Sequence, residues 1–237
     1  MFFNIQAQDS KEKYIVLLQK IGSLSKLFSD SSVPYLYYRV AENVFCRVFD
    51  AKNHSRSDTS ADASKDKLGI GLKTYIGKTG SSYQKIAEFN KKRSDYSELK
   101  FNPEKIAEVV SSLRNKRIDF AKSAHGLDNI IYHCVTRTQN KFQIFEEHME
   151  YINVDLINVK KSSNNAIHFT DGTHDYNFNL SKSTLFKRFV TVNPFEFDVN
   201  VLQDPFKFLE SFDESTQLQP HLSKPVSDSA SLLKEER

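Results

Sequence analysis

The chain has 237 residues, 39% hydrophobic and 12% aromatic, enough for one large domain or two small ones with a real core. Seven glycines and six prolines exclude a collagen-like chain, and two cysteines exclude a disulfide framework. The net charge of +3 permits a nucleic-acid partner without demanding one.

No run of about eighteen apolar residues is present, so no membrane span is expected. The start, Met1-Phe2-Phe3-Asn4-Ile5, lacks the basic flank and apolar core of a secretion signal, so a cytoplasmic protein is expected. Cys46 and Cys134 sit in apolar segments and read as reduced core residues.

Lys11 to Phe28 carries Ile15, Leu18, Ile21 and Leu24 at helical spacing. Pro34 suits the first turn of a second helix reaching Phe49. That helix is apolar nearly all round, so burial on most sides is expected, yet it contains Glu42. Asp50 to Lys67 is rich in Ser, Asp and Lys and reads as a solvated loop. Next comes a strand, Leu68 to Ile76, with two unlike faces. Leu68, Ile70, Leu72, Thr74 and Ile76 form the core face; Gly69, Gly71, Lys73 and Tyr75 form the other. Glycines there leave space beside the lysine for a ligand or a backbone.

Ser81 to Phe89 reads as a capped helix start. Asn102 and Pro103 open a longer helix as cap and first residue, with a stripe of Ile106, Val109, Val110 and Leu113. Asn129–Thr136 and Lys141–Phe145 then read as strands. Ala166–Thr170 and Tyr176–Leu180 form a hairpin around Asp171-Gly172. Ser181 to Phe189 reads as a short basic helix entered through hydroxyl residues. A last strand is expected over 195–202 and a helical turn over 204–212. The expected architecture is a mixed α/β domain over 1–212, a central mixed β-sheet flanked by helices. Residues 213–237 are a polar tail or linker, expected to be disordered.

The chemistry concentrates between Ala41 and Gln84. Asp62 and Lys73 lie eleven residues apart, a spacing that fits adjacent strands of a hairpin turning at Lys65-Asp66-Lys67. A carboxylate and an ammonium so paired could hold a hard cation and steady a phosphate. They could equally be a loop acid and a surface lysine. Glu42 sits among Tyr38, Phe45, Cys46 and Phe49 and must find a cation or pair with Arg39 or Arg47.

These residues resemble the PD-(D/E)xK nuclease superfamily, particularly type II restriction endonucleases. That family places an acid at the start of one strand and an acid-x-Lys on the next. Many members add a glutamate on the preceding helix and Gln or Lys on the following one. Asp62 matches the first acid, Lys73 the lysine, Glu42 the helix glutamate and Gln84 the following-helix position. Gly71 stands where the second acid belongs. The resemblance implies Mg²⁺-dependent cleavage of double-stranded DNA in a restriction or defence setting, with Glu42 and Asp62 as metal ligands and a homodimer as the cutting unit. The alternative is a non-catalytic DNA-binding or partner-docking subunit of a defence complex.

Competing registers exist. Asp50-Ala51-Lys52 is a literal acid-x-Lys but follows a helical pattern. Thr74-Tyr75-Ile76-Gly77-Lys78-Thr79 looks like half of a GIY-YIG motif without its upstream tyrosine. No histidine begins His-x-Lys, and none shows the His-Glu-x-x-His spacing of a zinc site. For DNA contact, Lys182, Ser183, Lys187 and Arg188 combine charge with helix-start donors.

Overall fold

The computed structural model describes residues 1–54, 59–77, 80–99 and 102–211. Met1–Pro205 is one compact unit; of the second, Phe206–Arg237, only 206–211 are described. The tail from 213 onward therefore lies outside the described residues, as do Ser57, Asp58, Lys78 and Thr79.

The fold is mixed α/β, as composition and periodicity indicated. Helix α1 (Gln8–Ser23) buries Tyr14, Leu18 and Gly22. Helix α2 (Tyr38–Phe49) starts later than Pro34 because Tyr37 is extended. The carbonyls before it serve other groups: Leu36 O accepts from Thr74 Oγ1 at 3.3 Å and Pro34 O from Arg137 Nη1 at 3.5 Å. Nor is α2 buried all round. Ala41, Glu42, Val44, Phe45 and Phe49 face inward, while Tyr38, Asn43 and Arg47 are exposed.

Asp50–Lys67 is not only loop, for it contains β1 (Lys52–Asn53) and β2 (Ala63–Lys65). The hairpin into β3 (Leu68–Ile76) turns through Asp66 and Lys67, with Lys65 opposite Leu68. Asp66 has φ 52°, a conformation Asp tolerates better than most residues.

Ser81–Glu88 is strand β4, not a helix start. Its backbone is paired with β10 (Thr184–Val190), seven residues of register that outweigh the local cap signal. Helix α3 (Ser94–Ser97) is a single turn. Helix α4 (Pro103–His125) begins as expected, with Asn102 Oδ1 accepting from Lys105 N at 2.9 Å and Pro103 in its first turn. It ends at Gly126, whose φ of 63° only glycine adopts freely.

The later strands are β5 (Asn129–Thr138), β6 (Lys141–His148), β7 (Asn158–Ser162), β8 (Ala166–Thr170), β9 (Asp175–Asn179), β10 and β11 (Phe195–Asp198), then α5 (Pro205–Glu210). The Asp171-Gly172 hairpin joins β8 and β9 as expected.

Two sheets form rather than one. Among the described residues the first is mixed, in the order β1-β2-β3-β5-β6-β11, with only β3 and β5 parallel. A β3–β5 parallel pair requires a long crossover, and α4 lies within it. The second is antiparallel, β4-β10-β9-β8-β7. One face of the first sheet packs on α1 and α2 through Phe2, Tyr14, Leu18, Phe45, Ile70, Leu72 and Val135. The other face joins α4 and β10 through Tyr75, Ile118, Tyr132, Cys134 and Phe189. Side chains of β3 do alternate between two faces, but both faces are covered: Tyr75, expected on the ligand face, is buried, and Ile76, expected in the core, is exposed. No helix among the described residues is long and apolar enough to cross a membrane.

Candidate functional site

Three elements converge where β2 begins. Asp62 immediately precedes β2, Lys73 lies on β3 and Glu42 points in from α2. The β2–β3 ladder is extended by Asp62 N donating to Ile70 O at 2.8 Å. Beyond that point β3 has no β2 residue opposite it, although β5 stays paired on its other side, and the Asp62 carboxylate takes over, with Oδ2 accepting from Leu72 N at 2.8 Å. Asp62 is thus held by the backbone next to Lys73.

Glu42 is buried and accepts from Arg39 Nη1 at 2.7 Å. The pairing does not withdraw it from the site. Burial raises the Glu42 pKa, the Asp62 charge raises it further, and Arg39 and Lys73 act against both. Asp62 is also raised, by burial first, with Lys73 and the Leu72 amide lowering it. Lys73 is shifted down by burial, while Asp62 holds it up. Burial thus disfavours the charged form of both carboxylates, and for Glu42 the Asp62 charge adds to it, an arrangement that an added cation relieves. Cys46 feels the same field: burial, then Glu42 and Asp62, push its thiol up to about 11.

The Lys73 ammonium makes no hydrogen bond or ion pair to any described residue; its neighbour is the Tyr132 ring, 6.0 Å to the centroid. Lys187 on β10 approaches the same ring at 6.0 Å and lies 4.7 Å from the Phe189 ring. The Tyr132 hydroxyl accepts from Arg114 Nη2 at 2.8 Å, and Arg114 Nη1 reaches Ser60 Oγ at 3.0 Å. Arg114 is 2% exposed. It therefore works as a positioning group, clamping the chain two residues before Asp62. Its signal was legible: it sits four residues after Val110 and four before Ile118, inside the apolar stripe of α4.

Gly71 explains the missing acid. A Cβ built there would lie 2.8 Å from Met149 Cε and 3.3 Å from Ser60 O. At Gly69 it would lie 2.7 Å from Leu127 Cδ1. The space beside Lys73 that the glycines were expected to leave for a ligand is filled by Met149 and Leu127. Among the described residues no group of three or more His, Cys, Asp or Glu is placed to hold a metal. The available ligand pair is Glu42 and Asp62, which fits a cation such as Mg²⁺ that keeps most of its waters.

Gln84 is not on a following helix. It lies on β4 opposite Lys187, with Nε2 donating to Ser82 Oγ at 2.7 Å. The residues proposed for DNA contact are dispersed by the strand geometry of β10. Lys187 alternates inward with Leu185 and Phe189, is buried, and pairs with Glu147. Arg188 points out, 3.3 Å from Asp175. Lys182 is exposed in the preceding turn, and Ser183 is buried at φ 50°. No helix N-terminus exists there. Asp50 caps α2 in a left-handed conformation and pairs with Lys65, so the Asp50-Ala51-Lys52 register forms no site.

Comparisons with protein-family models, with curated proteins and with solved structures find no match. The class that the geometry defines is a mixed α/β protein with Glu42 and Asp62 close to a lysine that has no acceptor among the described residues.

Proposed function

We propose that the chain is a metal-dependent nuclease that hydrolyses DNA phosphodiester bonds. The observation that carries the reading is the convergence of Glu42, Asp62 and a Lys73 ammonium without a protein acceptor among the described residues. The resemblance drawn from sequence expects an acid at a strand start, a lysine on the next strand and a glutamate on the preceding helix. The elements carrying Asp62, Lys73 and Glu42 agree with it.

Glu42 and Asp62 would hold the cation, which when bound supplies a Lewis acid for a phosphoryl oxygen and acidifies a water. Lys73 donates to the phosphate and offsets charge that grows in the transition state. Arg114 keeps Asp62 in place through Ser60, and Asp62 stays anchored to Leu72 N. Duplex DNA, cut by a homodimer in a restriction or defence setting, is the form that the sequence resemblance implies.

A second reading, a non-catalytic DNA-binding subunit, draws on Gly71: Met149 occupies the place of a second strand acid. One experiment separates the two. Plasmid and phage DNA are incubated with the protein in Mg²⁺ and in EDTA. Nicking or linearisation in Mg²⁺ alone is expected. Retention of DNA without strand breaks in either buffer would favour the second reading.

A further inference from the structure

The entry to α2 carries exposed aromatic rings. Tyr37 and Tyr38 are 45% and 49% exposed, with centroids 4.6 Å apart and planes tilted by 56°. Tyr14, in contrast, is wholly buried and hydrogen-bonded. The Arg39 guanidinium lies 5.4 Å from the Tyr38 centroid and also binds Glu42. Beside them, Tyr35 is flanked by the exposed Phe28 ring at 5.2 Å and by the Arg137 guanidinium at 5.4 Å.

Their place in the fold gives the rings a meaning. Leu36 O is hydrogen-bonded to Thr74, the neighbour of Lys73, and Pro34 O to Arg137, which pairs with Ile76 on β3. Residues 34–38 therefore run along the face of β3 that carries Thr74, and Arg39, whose charge acts on Asp62 as that of Lys73 does, ties them to the site. Tyr38 stands one helical turn before Glu42, a rise of about 6 Å, or about two nucleotide steps at ~3.4 Å each. Aromatic rings and cations next to the carboxylates of a proposed phosphodiester-cleaving site are what a single strand of nucleic acid exploits. Its bases present faces for stacking, and its backbone seeks positive charge. In a duplex those faces are covered by neighbouring bases.

We infer that Tyr37 and Tyr38, with Arg39 beside them, form a stacking platform for unpaired bases, so that the strand delivered to Lys73 is single-stranded or locally opened. The inference rests on the nuclease reading for what happens at Lys73, but not for binding.

The test measures binding without cleavage. Fluorescein-labelled oligothymidine and a hairpin duplex of equal charge are titrated in EDTA, on a Lys73→Ala background, with anisotropy as readout. A 2-aminopurine label in a second single strand reports stacking by quenching. The double variant Tyr37→Ala/Tyr38→Ala should lose about ten- to a hundredfold in affinity for the single strand, and the quenching with it. Tyr37→Phe/Tyr38→Phe should retain both, which also controls for folding. Affinity for the duplex should change less than threefold. Unchanged single-strand binding in the alanine variant, an equal loss on the duplex, or no binding of either probe by the parent overturns the platform. Cleavage is scored separately on plasmid with Mg²⁺. An uncut plasmid with intact tyrosine dependence removes the nuclease reading and leaves the platform; cut plasmid with no tyrosine dependence does the reverse.

Discussion

Two buried polar clusters are held by the first sheet, and they are built on opposite terms. On the face toward α1, Tyr14 OH bonds His133 Nε2 at 3.1 Å, His133 Nδ1 bonds Glu146 Oε1 at 2.7 Å, and both Glu146 oxygens accept from Phe3 N at 3.1 Å. Rings of Phe3, Tyr14 and Phe45 surround the imidazole. Each polar atom in that chain has its partner inside the protein. Glu42, Asp62 and Lys73 do not close in this way: burial disfavours the charge on both acids, Asp62 adds to the effect on Glu42, and the ammonium lacks an acceptor among the described residues. Closed networks give stability and specify packing; an open one keeps capacity for a ligand. Burial alone would not have told them apart.

The largest expected effect lies in the open cluster. Lys73→Ala should slow plasmid cleavage by about 10³-fold, roughly 4 kcal/mol of transition-state stabilisation, while DNA retention survives. Near-normal cutting by this variant would move the site elsewhere.

In the closed cluster the cost should fall on the fold instead. Glu146→Ala leaves His133 and Phe3 N without their acceptor and should cost about 3 kcal/mol in urea unfolding. Any cleavage per folded molecule should stay at the parent rate. If stability is untouched and cleavage falls, the two clusters have been assigned the wrong way round.

Acidity offers a third contrast. Glu42 and Asp62 have raised pKa values, so their contribution to stability is intact below the ordinary carboxylate range. It is lost as pH rises through the raised values, because burial disfavours the charged carboxylates. A bound cation reverses that penalty. Saturating Mg²⁺ should therefore stabilise by about 2.7 kcal/mol at a hundred times Kd, and by less as pH falls toward the acids' ordinary range. Thermal unfolding with and without Mg²⁺ across this range measures it. Asp62→Asn keeps an acceptor for Leu72 N and should fold, but lose the Mg²⁺ response. A cation response that survives this substitution would dissociate the acids from the metal.

The smallest effect separates neighbours on one strand. Arg188→Ala, at an exposed position, should at most lower the salt dependence of DNA binding by about one unit. Lys187→Ala should instead destabilise the fold by stranding Glu147, without changing the salt slope. A salt-slope change in Lys187→Ala would mean that this buried lysine reaches DNA.

The sequence by itself determined what local rules govern. It showed the two faces of β3, the cap and first turn of α4, the Asp-Gly hairpin and the turn that brings Asp62 to Lys73. Each depends on side-chain period or on the conformational habits of a few adjacent residues. It also exposed Glu42 as a carboxylate that burial would force to find company. Only the tertiary structure decided the rest, because the deciding partners are distant in the chain. Ser81–Phe89 and Ser181–Phe189 read locally as helix starts, but the strands β4 and β10 that form there supply each other's backbone partners across about a hundred residues. That pairing splits the expected single sheet in two, turns Lys187 inward and removes the helix on which Gln84 was placed. Likewise, nothing near Gly71 in sequence announces Met149, seventy-eight residues on, whose methyl group occupies the place of an acid. Local sequence encodes which face a residue takes; which atoms fill the space in front of it depends on the packing of segments far apart.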